Sequence, residues 1–204
     1  MTAPCAFQFH FDFGSPNAYL SHKLIPGISQ RTGVVCDYVP VLLGGVFKLT
    51  NNKSPMDQFQ GIKNKSEYGQ LEMTRFIRKH DLSAYRRNPH FPVNTVQIMR
   101  GAVLMARQGR LLDYVDAVYK NMWEQGLKMD DPDVIATALD GAGFDGAAIL
   151  AGIQEQSVKD ELLVNTTASV DRGTFGSPTF FVGEEIFFGK DRLDGVEAEI
   201  EVQK

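Results

Sequence analysis

The run Phe13-Gly14-Ser15-Pro16-Asn17-Ala18 sets a serine hydroxyl where a strand gives way to a helix. Ser15 suits the N-cap of that helix and Pro16 its first position. A helix start offers unpaired N–H groups and roughly half a positive charge, so it favours anions and lowers the pKa of a thiol held there. The chain has two cysteines, Cys5 and Cys36, and no CxxC. A dithiol–disulfide cycle at residues 15–18 is therefore excluded, as are a disulfide scaffold and a zinc ribbon. No G-x-S-x-G elbow surrounds Ser15, and His10, His22, His80 and His90 carry no pairing signal, which argues against a serine hydrolase. A second proline junction, Ser177-Pro178-Thr179, stands before an apolar run. Lys63, Lys65, Arg75, Arg78, Lys79, Arg86 and Arg87 form a local basic stretch, which suits small anionic ligands and equally a solvated helix face.

The elements that must position these residues follow from their periodicity. Phe7, Phe9, Phe11 and Phe13 alternate with Gln8, His10 and Asp12, the period of a strand. Leu20, Leu24 and Ile28 give the next segment a helical stripe, with Pro26-Gly27 expected to kink or restart it and Thr32-Gly33 to end it. Val34 to Val39 reads as a second strand, completing a right-handed βαβ unit. No strand pattern occurs between about Val46 and Asp171. Met56 to His80 has irregular helical spacing with Leu71, Phe76 and Ile77 as its core. Asn94 and Thr95 can cap a helix containing Ile98, Ala102 and Met105. Leu111–Trp123 carries Leu112, Val115, Val118, Tyr119 and Met122 on one face. Asp131-Pro132 opens a further helix, and 145–156 and 157–170 read as two more. Pro178–Val182 and Ile186–Phe188 flank Gly183-Glu184-Glu185 as a hairpin, and 192–202 is a closing helix. Cys5 and Cys36 fall on neighbouring strands as buried free thiols.

The chain has 204 residues, 43% hydrophobic and 23% charged, with a net charge of −4. These values fit one folded α/β domain and exclude disorder as the main state. They leave no global basic footprint for nucleic acid. No apolar run approaches the roughly 18 residues of a membrane span. Residues 1–5 lack the features of a secretory signal, so a cytoplasmic, reducing location is expected.

The order βαβ, helices, ββα is similar to the thioredoxin arrangement, and Pro178 resembles the cis-proline that faces the first helix there. The finer resemblance is to the DsbA-like branch, and within it to the kappa-class glutathione transferases and 2-hydroxychromene-2-carboxylate isomerases. It is carried, in order, by 11–19 (Phe-Asp-Phe-Gly-Ser-Pro-Asn-Ala-Tyr), 43–47 (Leu-Gly-Gly-Val-Phe), Asn51-Asn52-Lys53, Lys65 with Tyr68, 91–95 (Phe-Pro-Val-Asn-Thr), 175–182 (Phe-Gly-Ser-Pro-Thr-Phe-Phe-Val) and 188–193 (Phe-Gly-Lys-Asp-Arg-Leu).

The resemblance implies an α/β thioredoxin-like fold from 1–45 and 172–204, interrupted by an all-helical insertion domain at 46–171. It implies glutathione as the cofactor that brings the thiol. Ser15 would donate a hydrogen bond to the glutathione thiolate, without itself being the nucleophile. Asn52 would stand near thiolate and substrate, with Asn51 the rival register. Lys65, or its neighbour Lys63, would meet the glycyl carboxylate. Ser177 and Pro178 would pair with the cysteinyl backbone, and Lys190 and Asp191 would receive the γ-glutamyl group. Tyr68 would line the aromatic end of the pocket. Asp12 reads as a turn or capping residue. The implied activity is isomerisation of a small aromatic carboxylate from bicyclic-aromatic breakdown, in a homodimer. The alternatives are a kappa-type transferase or peroxidase, which consumes glutathione, and a redox-inactive peptide-binding protein.

Overall fold

A computed structural model describes residues 6–204, and Cys5 lies outside them. Strand β1 (Phe7–Phe11), helix α1 (Pro16–Thr32) and strand β2 (Cys36–Pro40) form the expected unit. Gly33 closes α1 in the left-handed region at φ 73°, its N–H returning to the Ser29 carbonyl. Pro26 does not divide α1: the helix runs through it, with Ile25 and Ile28 buried on either side. Cys36 is buried on β2 as expected, and burial pushes its thiol pKa far up.

Between β2 and the next strand lie α2 (Leu43–Thr50), α3 (Pro55–Gln58), α4 (Lys65–Lys79), α5 (Val96–Arg107), α6 (Leu111–Trp123), α7 (Pro132–Asp140), α8 (Gly146–Gly152) and α9 (Gln156–Asp171). Two apolar faces differ from those the sequence pattern predicts. The stretch 56–80 is split by Gly61 and Asn64, both at positive φ, and Leu71 is exposed while Phe76 and Ile77 pack on the core. On α6, Val115, Val118, Tyr119 and Met122 are buried but Leu112 faces solvent. Thr95 occupies the N-cap position of α5, yet the side chain that bonds into the helix start is Asn94, whose Oδ1 accepts the Val96 N–H at 3.1 Å.

Strands β3 (Thr179–Val182) and β4 (Glu185–Phe188) form the hairpin, followed by a 3₁₀ turn at Lys190–Arg192 and helix α10 (Leu193–Gln203). The sheet order is β2-β1-β3-β4; β1 and β2 are parallel, and the other pairs antiparallel. This mixed four-stranded sheet with flanking helices is a thioredoxin-like fold. Phe9 lies opposite Tyr38 on one side and Phe180 on the other, stacking on Phe180 at 5.3 Å. Full burial of each phenylalanine on β1 contributes roughly 1.5–3 kcal/mol, so alternation alone pins the strand's register. α10 packs on α1 and β3, and α9 on β2, α2 and α5. Residues 12–15 thus emerge from the centre of the sheet, where the first turn of α1 meets the loop that leads into β3.

Candidate active site

Ser15 caps α1. Its backbone is extended (φ −93°, ψ 113°), and its Oγ accepts the Ala18 N–H at 3.2 Å. Its hydroxyl hydrogen goes elsewhere: Oγ donates to the Ser177 carbonyl at 2.8 Å. Ser177 precedes Pro178 across a cis peptide bond, and both serines are more than nine-tenths buried. The Pro178 carbonyl accepts the Gly189 N–H at 3.0 Å, tying this loop to the end of β4. Thr179 Oγ1 donates to the Gly176 carbonyl at 2.9 Å, closing the loop from within.

Asp12 is the hub beneath this contact. Its backbone N–H donates to Ser177 Oγ at 3.1 Å. Its Oδ1 accepts the Gly14 N–H at 2.8 Å, and its Oδ2 accepts the Leu43 N–H at 2.7 Å. The second bond caps α2, whose own N-cap residue, Leu42, has no side-chain oxygen. Asp12 at β1's exit therefore holds the turn before α1 and the start of α2 through its side chain, and the proline loop through its backbone N–H. Burial raises the Asp12 pKa above its ordinary value, while the donors from Leu43, Gly14 and Thr95 pull it back. On the far side, Trp123 Nε1 donates to the Phe13 carbonyl at 2.8 Å and fixes the turn from above.

Asn52 follows α2. Its Nδ2 donates to the Phe175 carbonyl at 2.8 Å, two residues before Ser177, so α2 braces the same loop. Asn51 instead serves as the α2 C-cap at φ 54°. Lys190 is buried, with its amine 2.7 Å from Asp191 Oδ1 and 4.6 Å from the Phe76 ring centre. Lys190 and Asp191 line a cavity of about 390 Å³ between α1, α4 and α10, of which Ser15 is not a wall. Lys65 and Tyr68 sit exposed in the first turns of α4; the Lys65 amine lies 4.8 Å from the Phe59 ring centre. Neither makes a hydrogen bond or ion pair to the Ser15–Ser177 group, nor does the exposed Lys63. The fold thus joins Ser15, Ser177, Pro178 and Asn52, pairs Lys190 with Asp191 a short way along the chain, and leaves Lys65 and Tyr68 apart.

Asp12 was legible only as a turn residue, and its across-space cap on α2 has no local signal. Two of the four histidines do pair, through tertiary contacts that no spacing reveals. His22 Nδ1 lies 2.9 Å from Tyr38 Oη and its Nε2 2.7 Å from Asp116. His10 Nδ1 lies 2.8 Å from Ser169 Oγ. Neither histidine reaches Ser15, so no base is poised to make it a nucleophile. Among the described residues no group of three or more His, Cys, Asp and Glu could hold a metal ion. No described helix is long and apolar enough to cross a membrane.

A sequence profile of the DSBA-like thioredoxin domain matches residues 7–201. The chain belongs to the DSBA-like thioredoxin family. Within it, the chain is 29% identical over 193 residues to a 2-hydroxychromene-2-carboxylate isomerase of Sphingobium xenophagum, covering 94% of this chain and 95% of that one. It is 25% identical to an enzyme of the same name from Pseudomonas putida, covering 91% and 89%. It is 24% identical to glutathione S-transferase kappa 1 of Caenorhabditis elegans, covering 91% and 86%. In structure it is similar to a 2-hydroxychromene-2-carboxylate isomerase with a TM-score of 0.81 at 24% identity, over 97% of this chain and 95% of that one.

Proposed function

We propose that the protein is a glutathione-dependent isomerase of the 2-hydroxychromene-2-carboxylate type, acting on a small aromatic carboxylate. The observation that carries this is the Ser15 hydroxyl at the N-terminus of α1, facing the Ser177 carbonyl, in a site without a thiol of its own. A site built to favour a thiolate but holding a serine needs the sulfur to arrive with a ligand. Relatives of that name are 29% and 25% identical to the chain, against 24% for the kappa transferase, which supports isomerisation as the first reading.

In this reading the glutathione cysteinyl group pairs with the backbone at Ser177, ahead of Pro178, as an added strand. The α1 dipole and the Ser15 hydroxyl hold its sulfur ionised. The ring opens first: the hemiketal C–O bond breaks with its electron pair on the phenolic oxygen, and the hemiketal hydroxyl proton passes to that oxygen as the carbonyl forms. The thiolate then adds to the carbon β to that carbonyl, forming a C–S bond. The π pair of the C=C bond moves onto the carbonyl as an enolate. The former double bond then rotates, the enolate pair returns, and the C–S bond breaks. Glutathione is regenerated, and no proton or electron is left over. The protein supplies orientation and electrostatic stabilisation of the enolate.

Lys190 and Asp191 take the γ-glutamyl end. The Lys190 amine already occupies one Asp191 oxygen, so the ligand's ammonium has the other. Asn52 stands beside the thiolate from α2. Lys65 and Tyr68 serve the glycyl carboxylate and the aromatic ring when the ligand bridges to α4. In this reading the described part of 1–45, together with 172–204, is the thioredoxin-like unit, and 46–171 is its insertion. The same reading sets the enzyme in the reducing cytoplasm as a homodimer.

The test is a difference ultraviolet titration of the purified protein with glutathione, for wild type and Ser15→Ala, followed by isomerisation of 2-hydroxychromene-2-carboxylate. A saturable thiolate band that weakens in Ser15→Ala, with turnover that leaves glutathione unconsumed, is the expected result. Glutathione consumed in proportion to product would replace the isomerase with a kappa-type transferase. No band and no binding would remove both.

A further inference from the structure

We infer that the Ser177 carbonyl couples recognition of the ligand's backbone to stabilisation of its thiolate, so that the site selects thiols carrying a peptide N–H beside the sulfur-bearing residue. This deepens the glutathione reading above and rests on it.

The argument begins with a donor count. A serine hydroxyl has one hydrogen to give. That of Ser15 is committed to the Ser177 carbonyl at 2.8 Å, while the Ser15 oxygen is committed to the Ala18 N–H at 3.2 Å. Among the described residues no other donor reaches the Ser177 carbonyl, and Ser177 is 8% exposed. A thiolate entering the site therefore finds the hydroxyl already spent. Turning the hydroxyl to the sulfur strips a buried carbonyl of its partner, which is unfavourable unless something replaces it.

The loop cannot evade this by moving. Ser177 is pinned a second time, through its Oγ, by the Asp12 N–H at 3.1 Å. The loop on either side is held by Asn52 at Phe175 and by the Gly189 N–H at Pro178. The replacement must come from the ligand, and an added strand at Ser177 presents a backbone N–H to that carbonyl. When it does so, the Ser15 hydrogen is freed. Rotation about Cβ–Oγ alone carries it to the sulfur, with Oγ still capping α1. One hydrogen bond is lost and one gained at each oxygen, and no heavy atom of the protein moves. A simple thiol with no peptide N–H must leave either the carbonyl without a donor or the thiolate without the Ser15 hydrogen.

The experiment compares two tripeptides by calorimetry: glutathione, and its thiol-free counterpart with α-aminobutyrate in place of cysteine. Each is titrated into wild type, Ser15→Ala and Ser15→Thr. The thiol-free peptide has the N–H but no sulfur, so in wild type it displaces a hydroxyl that then has nothing to meet. Ser15→Ala presents that carbonyl already free. The expected result is opposite signs: Ser15→Ala binds glutathione about tenfold or more weakly but binds the thiol-free peptide as tightly as wild type or tighter. Ser15→Thr, which keeps the hydroxyl, restores the wild-type order and guards against a folding artefact in the alanine variant. Equal weakening of both peptides in Ser15→Ala overturns the coupling while leaving the glutathione site in place. Failure of wild type to bind glutathione overturns the coupling and the proposed function together.

Discussion

Replacing Asp12 by alanine tests whether one buried carboxylate organises the whole junction. The substitution removes the acceptor of the Leu43 N–H, the only side-chain cap on α2. Losing a cap costs about 1 kcal/mol. It also removes the acceptor of the Gly14 N–H in the turn before α1. An orphaned donor there costs about 1–3 kcal/mol, toward the low end because the bond is only partly buried. Relief of the carboxylate's own desolvation offsets part of this. The net expectation is a loss of about 2 kcal/mol at pH 7, a fall of roughly 4–8 °C in Tm for a chain of this size. Urea unfolding followed by far-ultraviolet circular dichroism reads it as a lower midpoint at unchanged slope. Asp12→Asn keeps one carbonyl oxygen and can serve one of the two N–H groups, so its loss should be about half as large. Asp12→Ala within about 0.5 kcal/mol of wild type, the range of ordinary surface changes, would refute the hub. So would an asparagine variant as unstable as the alanine one, since the argument rests on counting acceptors.

Two further outcomes follow from the same geometry. Burial, aided by Arg172, lowers the His10 pKa from 6.5 to about 4. The unfolded chain therefore takes up a proton the folded one refuses; stability is full above pH 6.5 and falls as pH drops toward 4, by about 3 kcal/mol. Unfolding free energies across that window should show this slope in wild type and lose most of it in His10→Gln; an equal slope in both would count against it. A Cβ at Gly101 would lie 2.0 Å from Tyr114 Oη, whose hydroxyl donates to the Ile98 carbonyl at 3.0 Å. Gly101→Ala should therefore cost about 2–4 kcal/mol through overpacking and the lost bond, seen as a lower unfolding midpoint, and an unchanged midpoint would contradict the packing.

What the sequence shows of this protein depends on how local each cause is. The alternating phenylalanines of β1, the Ser15-Pro16 helix start, and the strand after Pro178 are set by neighbours within a few residues, and each is legible. α2 is not: it opens Leu43-Gly44-Gly45, two poor helix formers after an N-cap residue without a capping oxygen, and its cap arrives from Asp12, thirty-one positions away. Separations of 94 and 159 positions hide the pairing of His22 with Asp116 and of His10 with Ser169. Of the candidate site, Ser15 and Ser177 are legible because both lie at proline junctions whose chemistry is local. Lys190 is legible only as a charge; that it is buried against Phe76 with its amine on Asp191 depends on the docking of α4. Leu71 shares α4 with Phe76 and Ile77, but five positions before Phe76 set it about 140° round the helix axis, away from the face that packs on the core.

Trp123 gives the junction an optical consequence. It is the chain's one tryptophan, it is buried, and it lies among Tyr85 and Phe91 with ring centres 6.0 and 5.8 Å away. Its indole N–H ends on the Phe13 carbonyl, two residues from Ser15. All indole emission from this protein therefore comes from a single chromophore bonded to the turn that carries the serine. Its colour reports the dryness of that spot, and its intensity the fit of the rings around it. Any event that shifts residues 13–15 is thus written into the native fluorescence, with no label attached and no second tryptophan to dilute the signal.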